Sequence, residues 1–138
     1  MVGTVFTATQ TSLDGAVTTL AQNVMYRKST TEDAVTLTAQ EVVNAIYHQT
    51  GTPGTSVKTL PSAATLFAYI KGADVGTGFD FIIYNGGDGD LTLAQDSGAT
   101  ITLYGTATIT ASGNKCRKFR FVFTSATAAA CYCMAETA

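Results

Sequence analysis

The amino-acid sequence predicts a mainly β protein: an antiparallel β-sandwich or jelly-roll-like domain with one or two short helices. Three observations carry this expectation. From Phe79 onward, short runs of strand-like alternation return at intervals of about ten residues, the spacing of sandwiches and barrels. Gly, Asn, Asp and Ser separate those runs. Charged residues make up only 13% of the chain, about half the usual share, and 25 threonines fill the gap with a β-branched side chain suited to a pleated surface.

The 138 residues fit one domain. Residues 1–33 read as an N-terminal arm or attachment segment. "GTVFTATQTSL" alternates like a strand, whereas the following stretch lacks clean periodicity and gathers Arg27, Lys28, Glu32 and Asp33. An ordinary first strand and helix of the same domain is the competing reading. The β-sandwich domain is expected over 34–138.

From Ala34 a short strand leads to Thr38 and Glu41, whose S/T-x-x-E spacing is a capping box. Val42, Val43 and Ile46 give the expected helix an apolar face, and Gly51 would stop it. "VKTLPSAATLFAYIKG" repeats the plan, with Pro61 in the first turn, Leu66 and Ile70 on one face and Gly72 at the end. The two stretches align at Thr36 and Thr59 as a weak internal repeat. Six strands are then expected, at residues 79–84, 90–95, 99–105, 106–111, 115–124 and 129–135. In "KFRFVF", Phe119, Phe121 and Phe123 share one face opposite Lys118, Arg120 and Val122, so burial of the aromatic face fixes the register.

The stretch "YNGGDGDLTLAQDSG" (84–98) invites a calcium reading, but Leu91 stands where a tandem G-G-x-G-x-D repeat would place its ligand, and the EF-hand spacing fails. Asn85-Gly86 between alternating runs instead predicts a hairpin turn. Cys131 and Cys133 would lie on one face of a strand about 7 Å apart, awkward for a disulfide, and the single His48 is distant in sequence. Cys116, Cys131 and Cys133 are therefore expected to be reduced, acting as small apolar residues. Motifs for metallopeptidase, nucleophile-elbow and phosphate-loop chemistry do not occur. The chain is read as a non-enzyme, with no catalytic, cofactor-binding or metal-ligating residue assigned.

A net charge of −2 and a pI near 5.1 give no field for a nucleic-acid backbone, and no apolar run is long enough to span a membrane. Half of the eight basic residues fall within "KCRKFR". Lys115, Arg117, Lys118 and Arg120 either dock an acidic partner or guard the outward face of a strand against wrong pairing.

Four stretches carry a resemblance: Thr59–Ala64 (TLP-[ST]-A-A), Val75–Asn85 (V-G-[ST]-x-F-x-F-x-I-x-N), Thr92–Gly105 (T-L-x-x-x-x-G-x-T-I-x-G) and the aromatic strand Phe119–Thr124. Covering about half the chain, they resemble a structural β-sandwich module of head-fibre and capsid-decoration proteins in tailed phages and large DNA viruses. The resemblance implies a homotrimer bound to the major capsid protein at the virion surface after synthesis in the host cytoplasm. The alternative reading is a receptor- or glycan-binding tip of a tail fibre, with Tyr84, Tyr104, Asp88 and Asp90 touching a sugar. The basic "KCRKFR" and the cysteine-rich end "CYCMAETA" depart from the pattern and leave the docking partner open.

Overall fold

A computed structural model describes residues 26–29, 34–50, 55–111 and 114–137. Among these residues ten strands form two sheets. The larger holds β1 (Tyr26–Ser29), β3 (Ala45–Gln49), β5 (Gly78–Asn85), β9 (Lys115–Ser125), β10 (Ala128–Cys133) and β7 (Ile101–Tyr104), in that order; the smaller holds β2 (Ala34–Thr36), β4 (Ser56–Thr59), β6 (Leu91–Ala94) and β8 (Thr108–Ile109). Two short helices, α1 (Ala39–Val42) and α2 (Ala63–Tyr69), sit at crossings between the sheets. The expected mainly β, sandwich-like architecture with short helices is the architecture observed.

Strand direction departs from the antiparallel expectation. Up to β8 the chain alternates between the sheets with every strand, so neighbours within each sheet run parallel: β1, β3 and β5 in one, β2, β4 and β6 in the other. Among the described strands antiparallel pairing is confined to β5–β9–β10 and β6–β8, while β7 joins β10 in parallel. The first six strands thus wind as successive coils through both layers.

Matching corners stack from coil to coil. Leu37 N–H donates to Thr59 O at 2.8 Å, and Leu60 N–H to Ala94 O at 2.9 Å. On the opposite side Gly86 N–H reaches Gln49 O and Ser56 N–H reaches Asp90 O, at 2.9 and 2.8 Å. Thr36 and Thr59, the aligned positions of the weak repeat, are register partners. The repeat is one coil of the winding.

Each helix forms because a side chain satisfies its free amides. Thr38 and Glu41 make the expected reciprocal capping box, and Ser62 accepts from Thr65 N–H at 3.2 Å. The first helix is far shorter than expected. Asn44, with φ of 51°, stops it after one turn, and Ala45, Tyr47 and Gln49 alternate inward as a strand where the helix was expected to continue to Gly51. Pro61 precedes the α2 cap instead of occupying its first turn.

Of the expected N-terminal arm, residues 1–25 and 30–33 lie outside the described residues, and Tyr26–Ser29 pairs with β3 as an edge strand. The six strands expected after Phe79 all form.

The inner faces share one core. Phe119, Phe121 and Phe123 are buried, with Phe79 stacked on Phe121 at 4.7 Å and Phe67 edge-on to Phe123 at 5.1 Å. Leu91, Leu93 and Ile109 close it from the smaller sheet. Toward one end the core turns polar. Gln49 and Asn85 are register partners, and Lys58 is fully buried with its Nζ 5.4 Å from the Tyr47 ring centre.

Phe121→Ala removes a fully buried ring and is expected to cost about 3–5 kcal/mol, whereas Thr124→Ala on the exposed face of the same strand should stay within about 0.5 kcal/mol. Urea unfolding of both variants measures the difference.

Candidate functional site

The 84–98 stretch is a crossing between sheets. Asn85 ends β5 in the larger sheet and Leu91 opens β6 in the smaller, so the expected hairpin does not form. Asn85 instead clamps the crossing from inside. Its fully buried amide donates to Gly89 O at 2.9 Å and Ile109 O at 3.0 Å, and its Oδ1 accepts from Gly87 N–H at 3.1 Å. The aspartates serve the backbone too. Asp90 accepts from Ala111 N–H at 2.9 Å, and Asp96 accepts from Gly98 N–H, Thr100 N–H and the Thr100 hydroxyl. Among the described residues no three His, Cys, Asp or Glu side chains cluster to hold a metal, and no helix is long and apolar enough to cross a membrane.

Strand alternation divides the four basic residues. Arg117 points inward and is buried; it donates to Met134 O and pairs with Glu136 at 3.2 Å, while Lys115 Nζ lies 3.8 Å from the same carboxylate. Glu136 also accepts from the Thr110 hydroxyl and N–H, so one carboxylate ties the C-terminal segment to β9 and to the loop after β8. Those hydrogen bonds from Thr110 are the main reason its pKa lies below the ordinary value.

Lys118 and Arg120 point outward and share Asp80 of β5. Arg120 engages it through Nε and Nη2, and Lys118 Nζ stands 3.6 Å away. The Arg120 hydrogen bond, more than any other contact, lowers the Asp80 pKa.

Cross-strand register extends this pair into a row. Asp80 faces Arg120, Arg120 faces Tyr132 of β10, and Tyr132 faces Tyr104 of β7. The two tyrosine rings stack at 5.3 Å with planes 17° apart, and each is about half exposed. Beside Arg120 opens a surface cavity of about 380 Å³, lined by Asn44, Gly76, Gly78, Phe79, Asp80, Arg120 and Val122. A second, apolar hollow of about 440 Å³ lies between Ile82, Cys116, Lys118 and Met134.

The four residues expected to meet a sugar are not brought together. Tyr84 lies on β5, packed edge-on against His48 at 4.6 Å, and Asp88 follows it in the crossing. Tyr104 lies three strands away on the edge strand β7. Tyr132, absent from that expectation, is its neighbour. The cysteines are free, and burial raises the thiol pKa of Cys131 and Cys133, so neither is a reactive thiolate at neutral pH.

The fold and this face define a two-sheet β protein whose charged groups hold turns, strands and the C-terminal segment in place. No protein-family model matches the chain, and no curated protein matches it.

Two predictions follow from the polar contacts. Asn85→Ala leaves the buried Ile109 carbonyl, and the part-buried bonds to Gly89 and Thr110, without their donor and should cost about 1–3 kcal/mol in chemical denaturation. Asp80 and Glu136 have folded pKa values below their ordinary 3.8 and 4.5, so each adds stability at higher pH that is lost as pH falls through its folded value. The thermal midpoint of the wild type should therefore drop below about pH 4.5, and that of an Asp80→Asn/Glu136→Gln double variant should drop less steeply.

Proposed function

We propose that this chain is a non-catalytic structural protein of a virion: a capsid decoration (cement) or head-fibre protein that sits on the major capsid lattice as a homotrimer. The observation that carries the reading is how the polar side chains are used. Asn85, Asp90, Asp96 and Glu136 are spent on backbone amides, carbonyls and the C-terminal segment, as suits a body whose work is to hold shape. The likeness to head-fibre and decoration modules supports the same role, since the stretches that carry it fall at the end of β4 and the start of α2, on β5, from β6 to β7, and on part of β9. Low surface charge suits a protein covered by neighbours, and closed symmetry would cover sheet edges that a lone copy leaves open. Many weak contacts repeated over a lattice add up through multivalency.

Native mass spectrometry of the purified protein should return three times the 14.3 kDa chain mass. Quantitative proteomics of purified particles should find copies in the hundreds. A stable monomer in solution, or only a few copies per particle, would count against the assignment.

A further inference from the structure

We infer that the outer face of the larger sheet carries a carbohydrate-binding site for an acidic oligosaccharide, formed by Asn44, Asp80, Lys118, Arg120, Tyr132 and Tyr104. This goes beyond the capsid reading and does not depend on it.

Three features of the face converge on that ligand. First, the aromatic pair is presented and not buried: the rings stack on one another at 5.3 Å with each about half exposed, and among the described residues β7 is the outermost strand of its sheet. Each ring covers part of one face of the other, and a remaining ring face fits the C–H face of a pyranose, which is apolar in the middle and hydroxylated at its rim. Second, the polar groups needed for that rim stand next in the register. The Arg120–Asp80 pair sets donors and acceptors side by side, Arg120 spends only Nε and Nη2 on Asp80, and Asn44 lines the same 380 Å³ cavity. Small-ligand sites are concavities where a few polar groups meet apolar surface, and Arg120, which lines this cavity, is the register partner of Tyr132. Third, the charge is unbalanced in one direction: two cations, Lys118 and Arg120, face the single carboxylate of Asp80. A sugar carboxylate satisfies the surplus positive charge.

The dimensions agree. Four strands about 4.8 Å apart make the row from Asp80 to Tyr104 about 14 Å long, room for a chain of a few sugars but small for a protein interface. An added strand is a poor fit as well, because β7 is four residues long and Gly105, at φ of 98°, ends it.

A printed array of acidic glycans and their neutral counterparts tests the proposal, followed by titration of the whole protein with 3′-sialyllactose, a hyaluronan tetrasaccharide and, as neutral control, lactose. With six tyrosines and no tryptophan, the chain's own fluorescence reports ring contact. Binding of an acidic probe should exceed that of its neutral counterpart and weaken with added salt. Tyr104→Ala and Arg120→Gln should each lower affinity about tenfold, while Tyr104→Phe, which keeps the ring face, should stay within about twofold. Retention of no acidic glycan on the array, equal binding of neutral probes, or affinity unchanged in Tyr104→Ala would overturn it. So would a protomer-concentration-dependent rise in mass abolished by Tyr104→Ala, which would assign the face to self-association. Circular dichroism of each variant shows that a loss of binding is not a loss of fold. Particle attachment is scored separately, so glycan binding without attachment, or the reverse, tells the two readings apart.

Discussion

The pairing of β5 with β9 is the constraint from which the rest of the molecule follows. Eight consecutive residue pairs, from Gly78 with Val122 to Asn85 with Lys115, fix one register at the centre of the larger sheet. Phe79 and Phe81 on one strand, and Phe119, Phe121 and Phe123 on the other, all face inward and are almost wholly enclosed. A slip of one residue would turn those rings to solvent and drive Asp80, Lys118 and Arg120 into the core, where unpaired charge is costly. The same register that buries the rings sets Asp80 opposite Arg120, and β10 and β7 extend that line to the two tyrosines. Core and outer face are two readings of one alignment.

Coiling between two sheets poses a second problem: each crossing leaves backbone amides and carbonyls without ladder partners. The chain meets it with small polar side chains placed at the corners. Thr38 and Ser62 cap the helices of two crossings, and Asp96 with Thr100 serves the third on the same side. Thr100 also accepts from Ala63 N–H at 2.8 Å, joining neighbouring coils. Across the body Asn85 closes a crossing from inside. Small polar side chains at these corners supply the hydrogen bonds that the sheet ladders do not.

Local signals in the sequence were legible and long-range ones were not. "KFRFVF" announces a half-buried strand because period-two alternation with aromatic residues has only one good burial, and Thr38 with Glu41 announces a helix start because the box is complete within four residues. Asn44 could also have been read: an Asn that tolerates positive φ, followed by the alternation of Ala45, Tyr47 and Gln49, marks a stop and then a strand. The Asn85-Gly86 reading failed for a different reason. A hairpin requires the next strand to return beside the last, and whether β6 joins the sheet of β5 or the opposite one depends on coils laid down earlier. Parallel pairing escaped for the same cause, being built from partners 20 to 36 residues apart. The tyrosine row depends on β7 meeting β10 in parallel, so nothing near Tyr104 in sequence points to Tyr132.

Among the described residues the larger sheet ends at β7, and how it ends there bears on what its outer face can do. An edge strand exposes hydrogen-bonding groups to any passing chain, and charge or proline are common protections; β7 carries neither. It is protected by brevity and by Gly105, where the chain turns through positive φ so close to the Cys133 carbonyl that an added Cβ would sit 3.1 Å from its oxygen. That turn breaks off the backbone edge immediately after Tyr104, so what the sheet offers at this margin is a side-chain surface more than a ladder. A partner that reads side chains, ring faces first and then the Arg120–Asp80 pair, finds its contacts already set by the strand register, with little ordering left to be done on binding.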